Sequence, residues 1–169
     1  MYLLLEIIFE ISNHEKLRSF FQKIVTFNNN AIIRSHFYDD ANKRDVEYED
    51  IDDYCSFILS NGTESSLFLS SVNCGVEFEE AGILVAHDSQ GVVISLSIEK
   101  DSFAPSIEEC TLLIQHLSSS ISSSIVDNII IGYDPAEDID MQIITLRKYE
   151  YCDIDIESKK LYAELNSLF

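Results

Sequence analysis

Thirty carboxylates, four histidines and four cysteines are the side chains of this sequence that could hold a metal, attack an electrophile or move a proton. His14, His36, His87 and His116 are scattered, none at the i, i+4 or short-loop spacing that aims two imidazoles at one ion. Cys55, Cys74, Cys110 and Cys152 lie far apart among apolar or aromatic neighbours. They show neither the paired spacing of a zinc site nor the density of a secreted disulfide framework, so reduced thiols in a cytoplasmic protein are expected. Cys110 and His116 would fall on different sides of one helix, too far round to serve as nucleophile and base. Residues 134–140 and 153–157 alternate carboxylates but lack the ordered ligand positions and central glycine of an EF-hand loop. No Gly-rich phosphate loop, serine elbow or dinucleotide fingerprint is present. The expectation is a protein without metal or cofactor, and not an enzyme. A carboxylate acting as acid or base is the second alternative, because such groups come from separate elements that spacing does not reveal.

The carboxylates carry their message as charge. Against 30 Asp and Glu stand 11 Lys and Arg, a net charge of −19, which disfavours bare nucleic acid and anionic membranes and favours a basic partner. A solvated acidic surface that only aids solubility is the plain alternative. The charge is localised: residues 1–38 are slightly cationic, whereas residues 39–53 hold eight carboxylates against Lys43 and Arg44. Further acidic knots fall at residues 134–138 and 150–157. Tyrosines accompany all three, with Tyr38, Tyr48 and Tyr54 at the first, Tyr133 at the second, and Tyr149 and Tyr151 at the third. Carboxylates mixed with aromatic rings suit a contact surface for a cationic protein, since a ring gives large contact area at low ordering cost. Tyr54 reads instead as core. The candidate partner-binding residues are Asp39, Asp40, Glu47, Tyr48, Glu49, Asp134, Glu137 and Asp138.

The elements that must carry these residues are organised around residues 75–99. There Val92, Ile94, Leu96 and Ile98 alternate with Val93, Ser95, Ser97 and Glu99 beyond the tetrapeptide Asp88-Ser89-Gln90-Gly91, which predicts a hairpin with one buried face. Gly82 is expected to mark a bulge or bend in its first arm. Residues 1–11 predict a buried strand, since two carboxylates interrupt them and no cationic region precedes them as in a signal peptide. Ser12 and Glu15 predict a capping box opening a helix striped by Leu17, Phe20, Phe21, Ile24 and Val25, with a stop at 28–30. A strand over 31–38 follows, then a helix striped by Ile51, Tyr54, Cys55, Ile58 and Leu59, its first turn favoured by carboxylates and its end set by Asn61-Gly62.

A strand over 67–72 leads through Asn73-Cys74-Gly75 into the hairpin. Ser106 and Glu109 cap a helix with Cys110, Ile114 and Leu117 on one stripe and a serine-rich end expected to fray. Strands over 125–133 and 139–147 and a terminal helix bearing Leu161, Tyr162, Leu165, Leu168 and Phe169 complete the chain. The fold class is α+β: one domain over residues 1–169, a mainly antiparallel sheet with helices packed on it. No run approaches the ~20 apolar residues that cross a bilayer, so a soluble protein is expected.

The acidic balance, the size and the sheet segment from Gly75-Val76-Glu77-Phe78-Glu79-Glu80 through Asp88-Ser89-Gln90-Gly91-Val92-Val93-Ile94 resemble the acidic cytoplasmic immunity proteins of contact-dependent growth inhibition and other polymorphic toxin systems. The resemblance implies a cognate toxin domain as partner, often covered over its active site. The clustered carboxylates add that this toxin is basic, a nuclease being the expected class because it must hold a phosphate backbone, and a monomer or weak dimer with no nucleic-acid or membrane partner is expected. A second resemblance comes from element order. From Ile51 onward the chain is similar to the acidic, homodimeric class I chaperones of type III secretion, although its first fifty residues depart from that pattern.

Overall fold

The Asp88–Gly91 turn closes the central hairpin, with Asp88 Oδ1 accepting from the amides of Gln90 (2.7 Å) and Gly91 (3.2 Å). A computed structural model of the chain describes residues 3–60, 64–134 and 138–167. The strands are β1 (Leu4–Ile11), β2 (Ile32–Asp39), β3 (Arg44–Val46), β4 (Glu64–Asn73), β5 (Glu77–Asp88), β6 (Gly91–Glu99), β7 (Asn128–Tyr133) and β8 (Gln142–Arg147). The helices are α1 (Leu17–Lys23), α2 (Tyr54–Ser60), α3 (Ile107–Ser122) and α4 (Ile154–Asn166). All eight strands form one sheet in the order β3-β2-β4-β5-β6-β1-β7-β8, every neighbour antiparallel. This is the expected α+β class, with the first strand between the hairpin and β7 rather than at an edge.

One face of the sheet is the core. Leu5, Ile7, Phe9 and Ile11 of β1 and Val92, Ile94, Leu96 and Ile98 of β6 are buried, the two-residue period predicted for β6. Phe9 meets Phe20 edge-on at 4.9 Å, while Phe37 of β2 meets Tyr54 at 5.7 Å and Phe57 at 6.0 Å, placing α1 and α2 against this face. Helix α3 contributes Cys110, Leu113, Ile114 and Leu117, and α4 contributes Leu161 and Leu165. Each such side chain stabilises the fold by about 1.5–3 kcal/mol through burial alone.

The opposite face carries the alternate residues, and its side chains are half-buried or exposed for the most part. Across it one register row runs His36, Ser66, Leu84, Ser95, Ile8, Ile130, and the next runs Glu64, Ala86, Val93, Glu10, Asn128.

Several local expectations need correction. The box at Ser12 does not form: Asn13 is the cap, accepting from the Glu15 amide at 3.0 Å, while the Ser12 amide donates to Asp127 Oδ2 at 2.7 Å. Helix α1 ends at Lys23, five residues before the expected stop, and Ile24 and Val25 are buried beyond it. Gly82 is no bulge, since it pairs in unbroken register with Phe68 and Ser97; Glu80, at φ +54°, holds the irregular backbone instead. The acidic segment also contains β3, a strand too short for an alternation to announce it.

Other expectations match. Ser106 and Glu109 form the reciprocal box at the start of α3. Its serine-rich end, expected to fray, instead stays helical through Ser122, with serines bonded back to helix carbonyls, as from Ser119 to Gln115 at 2.9 Å and from Ser122 to Ser118 at 3.1 Å. The connection into the hairpin turns at Gly75, φ +79°, where a Cβ would come within 2.5 Å of the His116 side chain. The Asn61-Gly62 stop and the packing expected of Leu168 and Phe169 lie outside the described residues.

Candidate functional site

The first acidic segment leaves the sheet at the end of β2 and returns as β3, forming one outer edge. Asp39 closes that turn. Only 8% exposed, its carboxylate accepts from the Ala41 amide (3.0 Å), the Asn42 amide (3.2 Å) and Asn42 Nδ2 (2.7 Å). The Asn42 side chain above all, then the turn amides and nearby Arg44, hold this carboxyl below its ordinary pKa. Asp39 is thus built into the turn, whereas Asp40 beside it faces solvent.

Tyr48 is half-buried: its ring lies 6.1 Å from Phe37 and 5.8 Å from Tyr54, and its hydroxyl donates to Asn29 Oδ1 at 3.0 Å. Anchored by that ring, the segment presents Glu47, Glu49 and Asp50 outward. Asp53 begins α2, accepting from the Ser56 amide at 3.1 Å and pairing with Arg18 at 2.6 Å. Of the carboxylates expected to favour that helix start, Asp53 is the one so bonded among the described residues. Asp40, Glu47, Glu49, Asp50 and Asp52 form no ion pair among the described residues.

The second knot stands elsewhere. Between β2 and β7 lie five antiparallel steps, so Asp134 beyond Tyr133 falls at the opposite end of the sheet from Asp40 and about 24 Å across it. Asp134 is exposed with φ +51°, and Asp138 caps a 3-10 turn by accepting from the Asp140 amide at 3.0 Å. Glu137 lies outside the described residues. The two knots therefore occupy diagonally opposite corners and do not form one patch. The third follows β8 at the far edge, with Tyr149 94% and Tyr151 92% exposed.

What sequence reasoning missed is the open face of the sheet. A depression of about 310 Å³ runs from Asp40 past Tyr38, Glu64 and Ser66 to Leu84. A second, about 420 Å³, continues over Phe68, Gly82 and Ser97. A third, about 490 Å³, spreads from Glu64 over Ala86 and Val93 to Glu10, Asp88 and Asp127. The signal available was the weak alternation of Ser66, Phe68, Leu84 and Val93, which reads equally well as half-buried strand.

Catalytic chemistry gains little from the geometry. Burial pushes the Cys74 thiol up to about 12, and burial with Glu109 pushes Cys110 up to about 11, away from the thiolate a nucleophile needs. His116 is bonded to the Ile24 carbonyl at 2.7 Å. No group of three or more His, Cys, Asp or Glu able to hold a metal ion occurs among the described residues.

Comparison with known proteins decides among the readings. The sequence profile of the PABL017 Cdi1I immunity protein family matches residues 4–149. This chain belongs to that family. The match runs from β1 through β8, so the family is defined by the whole sheet, with α4 beyond it. One chain of the 1.75 Å crystal structure of the toxic C-terminal tip of CdiA from Pseudomonas aeruginosa in complex with immune protein shares the fold, with TM-score 0.62 and 16% identity over 90% of this chain and 100% of that one. No curated protein matches. Membership in the Cdi1I family replaces the chaperone alternative: the helix–strand order that resembled the chaperones is part of a single sheet whose middle includes the N-terminal strand. No helix among the described residues is long and apolar enough to cross a membrane.

Acid should probe the three bonded carboxylates of this immunity protein. Asp39 and Asp53 are held below the unfolded value of 3.8 by their hydrogen bonds. At Asp127 burial pushes upward but is outweighed by Ser12 and Lys148, so it too is lowered. The stability they add is complete above 3.8 and is lost as pH falls through the lower folded values. Thermal unfolding followed by circular dichroism should show a Tm that falls below about pH 4; a Tm unchanged down to about pH 2 would contradict this coupling.

Proposed function

We propose that this Cdi1I family member binds a cognate toxin domain and neutralises it by covering the toxin's active site, without catalysis of its own. Family membership carries the reading, and the net charge of −19 supports a basic toxin, of which a nuclease is the natural class because it must hold a phosphate backbone. Asp40, Glu47 and Glu49, with Tyr48 fixing their segment and Asp39 its turn, form the contact edge. Asp134 and Asp138, at the far corner, contribute to long-range attraction, and Glu137, outside the described residues, adds its charge to theirs. The binding form is a monomer or weak dimer in the cytoplasm. Sedimentation of the chain mixed with the toxin domain encoded beside it should give a one-to-one complex; a chain that sediments unchanged in the mixture would overturn the proposal.

A further inference from the structure

We infer that the helix-free face of the sheet, centred on Leu84 and Val93, is the buried part of the toxin interface, with a cationic surface of the toxin domain as its occupant. The inference rests on the binding reading above and names the surface that performs it. The three depressions are continuous: the first shares His36, Ser66 and Leu84 with the second and Glu64 with the third, and it begins at Asp40 on the acidic edge. Steering charge and contact face therefore meet at one corner.

The face has the make-up of an interface. Leu84, inside β5, is 40% exposed and Val93, near the turn end of β6, 45%, although the sheet buries its other face completely there. Around Leu84 the neighbours are small, with Ser66 and Ser95 as its cross-strand partners and Ala86 beside it, so a partner's side chains can approach closely there. The carboxylates of Asp40, Glu64 and Glu10 border this apolar strip. One cation lies within the depressions, Arg34, which is held over the Phe68 ring at 4.9 Å on the side away from Val93, and Arg147 is on the outermost strand. Negative rim and apolar centre complement a basic surface with an apolar middle. Size agrees as well. Six strands at ~4.8 Å spacing and about eight residues of strand length span on the order of 650 Å² before side-chain relief, close to the ~800 Å² per partner of a specific interface.

The test is isothermal titration of the full chain and its L84K/V93K variant against the toxin domain encoded beside it. Added lysines oppose a cationic partner at the apolar centre, so roughly 100-fold weaker binding is expected, as for loss of a central anchor, with the far-ultraviolet spectrum unchanged. Leu112→Lys, on an exposed position of α3, should bind as the unmodified chain does. If L84K/V93K does not fold, Ser66→Lys at a half-buried site in the same depression takes its place, with the same expectation. Binding by the variant within about threefold of the unmodified chain, far short of a lost anchor, would overturn the inference while leaving the toxin-binding reading intact. So would sedimentation of the free chain as a dimer that L84K/V93K dissociates, which would make a second copy the occupant. Absence of binding by the unmodified chain would overturn both.

Discussion

Replacement of Phe37 by alanine should cost about 3–5 kcal/mol of folding free energy, read from urea unfolding followed by circular dichroism. Its ring is fully buried and is shared by Tyr48, Tyr54 and Phe57. Truncation removes the surface on which all three rest. The loss should reach function through Tyr48, because the ring that ties the acidic segment to the core would lose its backing. Phe37→Leu, which keeps most of the volume, should cost under about 1.5 kcal/mol. Equal losses for the two variants would show that the cluster is not packed as described.

The second large effect concerns association. The triple variant D40N/E47Q/E49Q removes three exposed charges that form no ion pair among the described residues, so its urea midpoint should stay close to that of the unmodified chain. Its association rate with the toxin domain in stopped-flow measurements should fall about tenfold at low salt, and the gap should narrow as salt rises, because screening over about 8 Å at physiological ionic strength erases long-range attraction. The same substitutions at Asp134 and Asp138, at the opposite corner, should slow association less. An association rate independent of salt would mean that these charges do not steer the encounter.

The elements were legible in the chain where the physics is local. The alternation from Val92 to Glu99, the Ser106 box and the Asn73-Cys74-Gly75 turn depend on neighbours close in sequence, and each stands where its residues placed it. Expectations failed where distant residues compete. Ser12 has a helix-capping hydroxyl, but its amide is taken by Asp127, 115 residues away. Gly82 had the residue type for a bulge, yet regular pairing on both sides keeps it in register, and the irregular backbone falls at Glu80.

The candidate site was legible as charge and illegible as place. Composition showed that residues 39–53 are acidic, but the separation of Asp40 from Asp134 is a property of strand order, which pairs β1 with β6 and β7. Nor could spacing reveal that Asp39 is sequestered by Asn42 while Asp40 is presented. The open face escaped for a related reason: Leu84 looks like a core residue until one knows that every helix lies on the other side.

The most direct measurement is titration of toxin activity on its substrate with increasing amounts of this protein. Activity should fall linearly to an end point at one molecule per toxin domain, with the toxin recovered intact after dissociation. Full toxin activity at a large excess of folded protein, or loss of activity by cleavage of the toxin at far below one molecule per domain, would contradict neutralisation by stoichiometric binding.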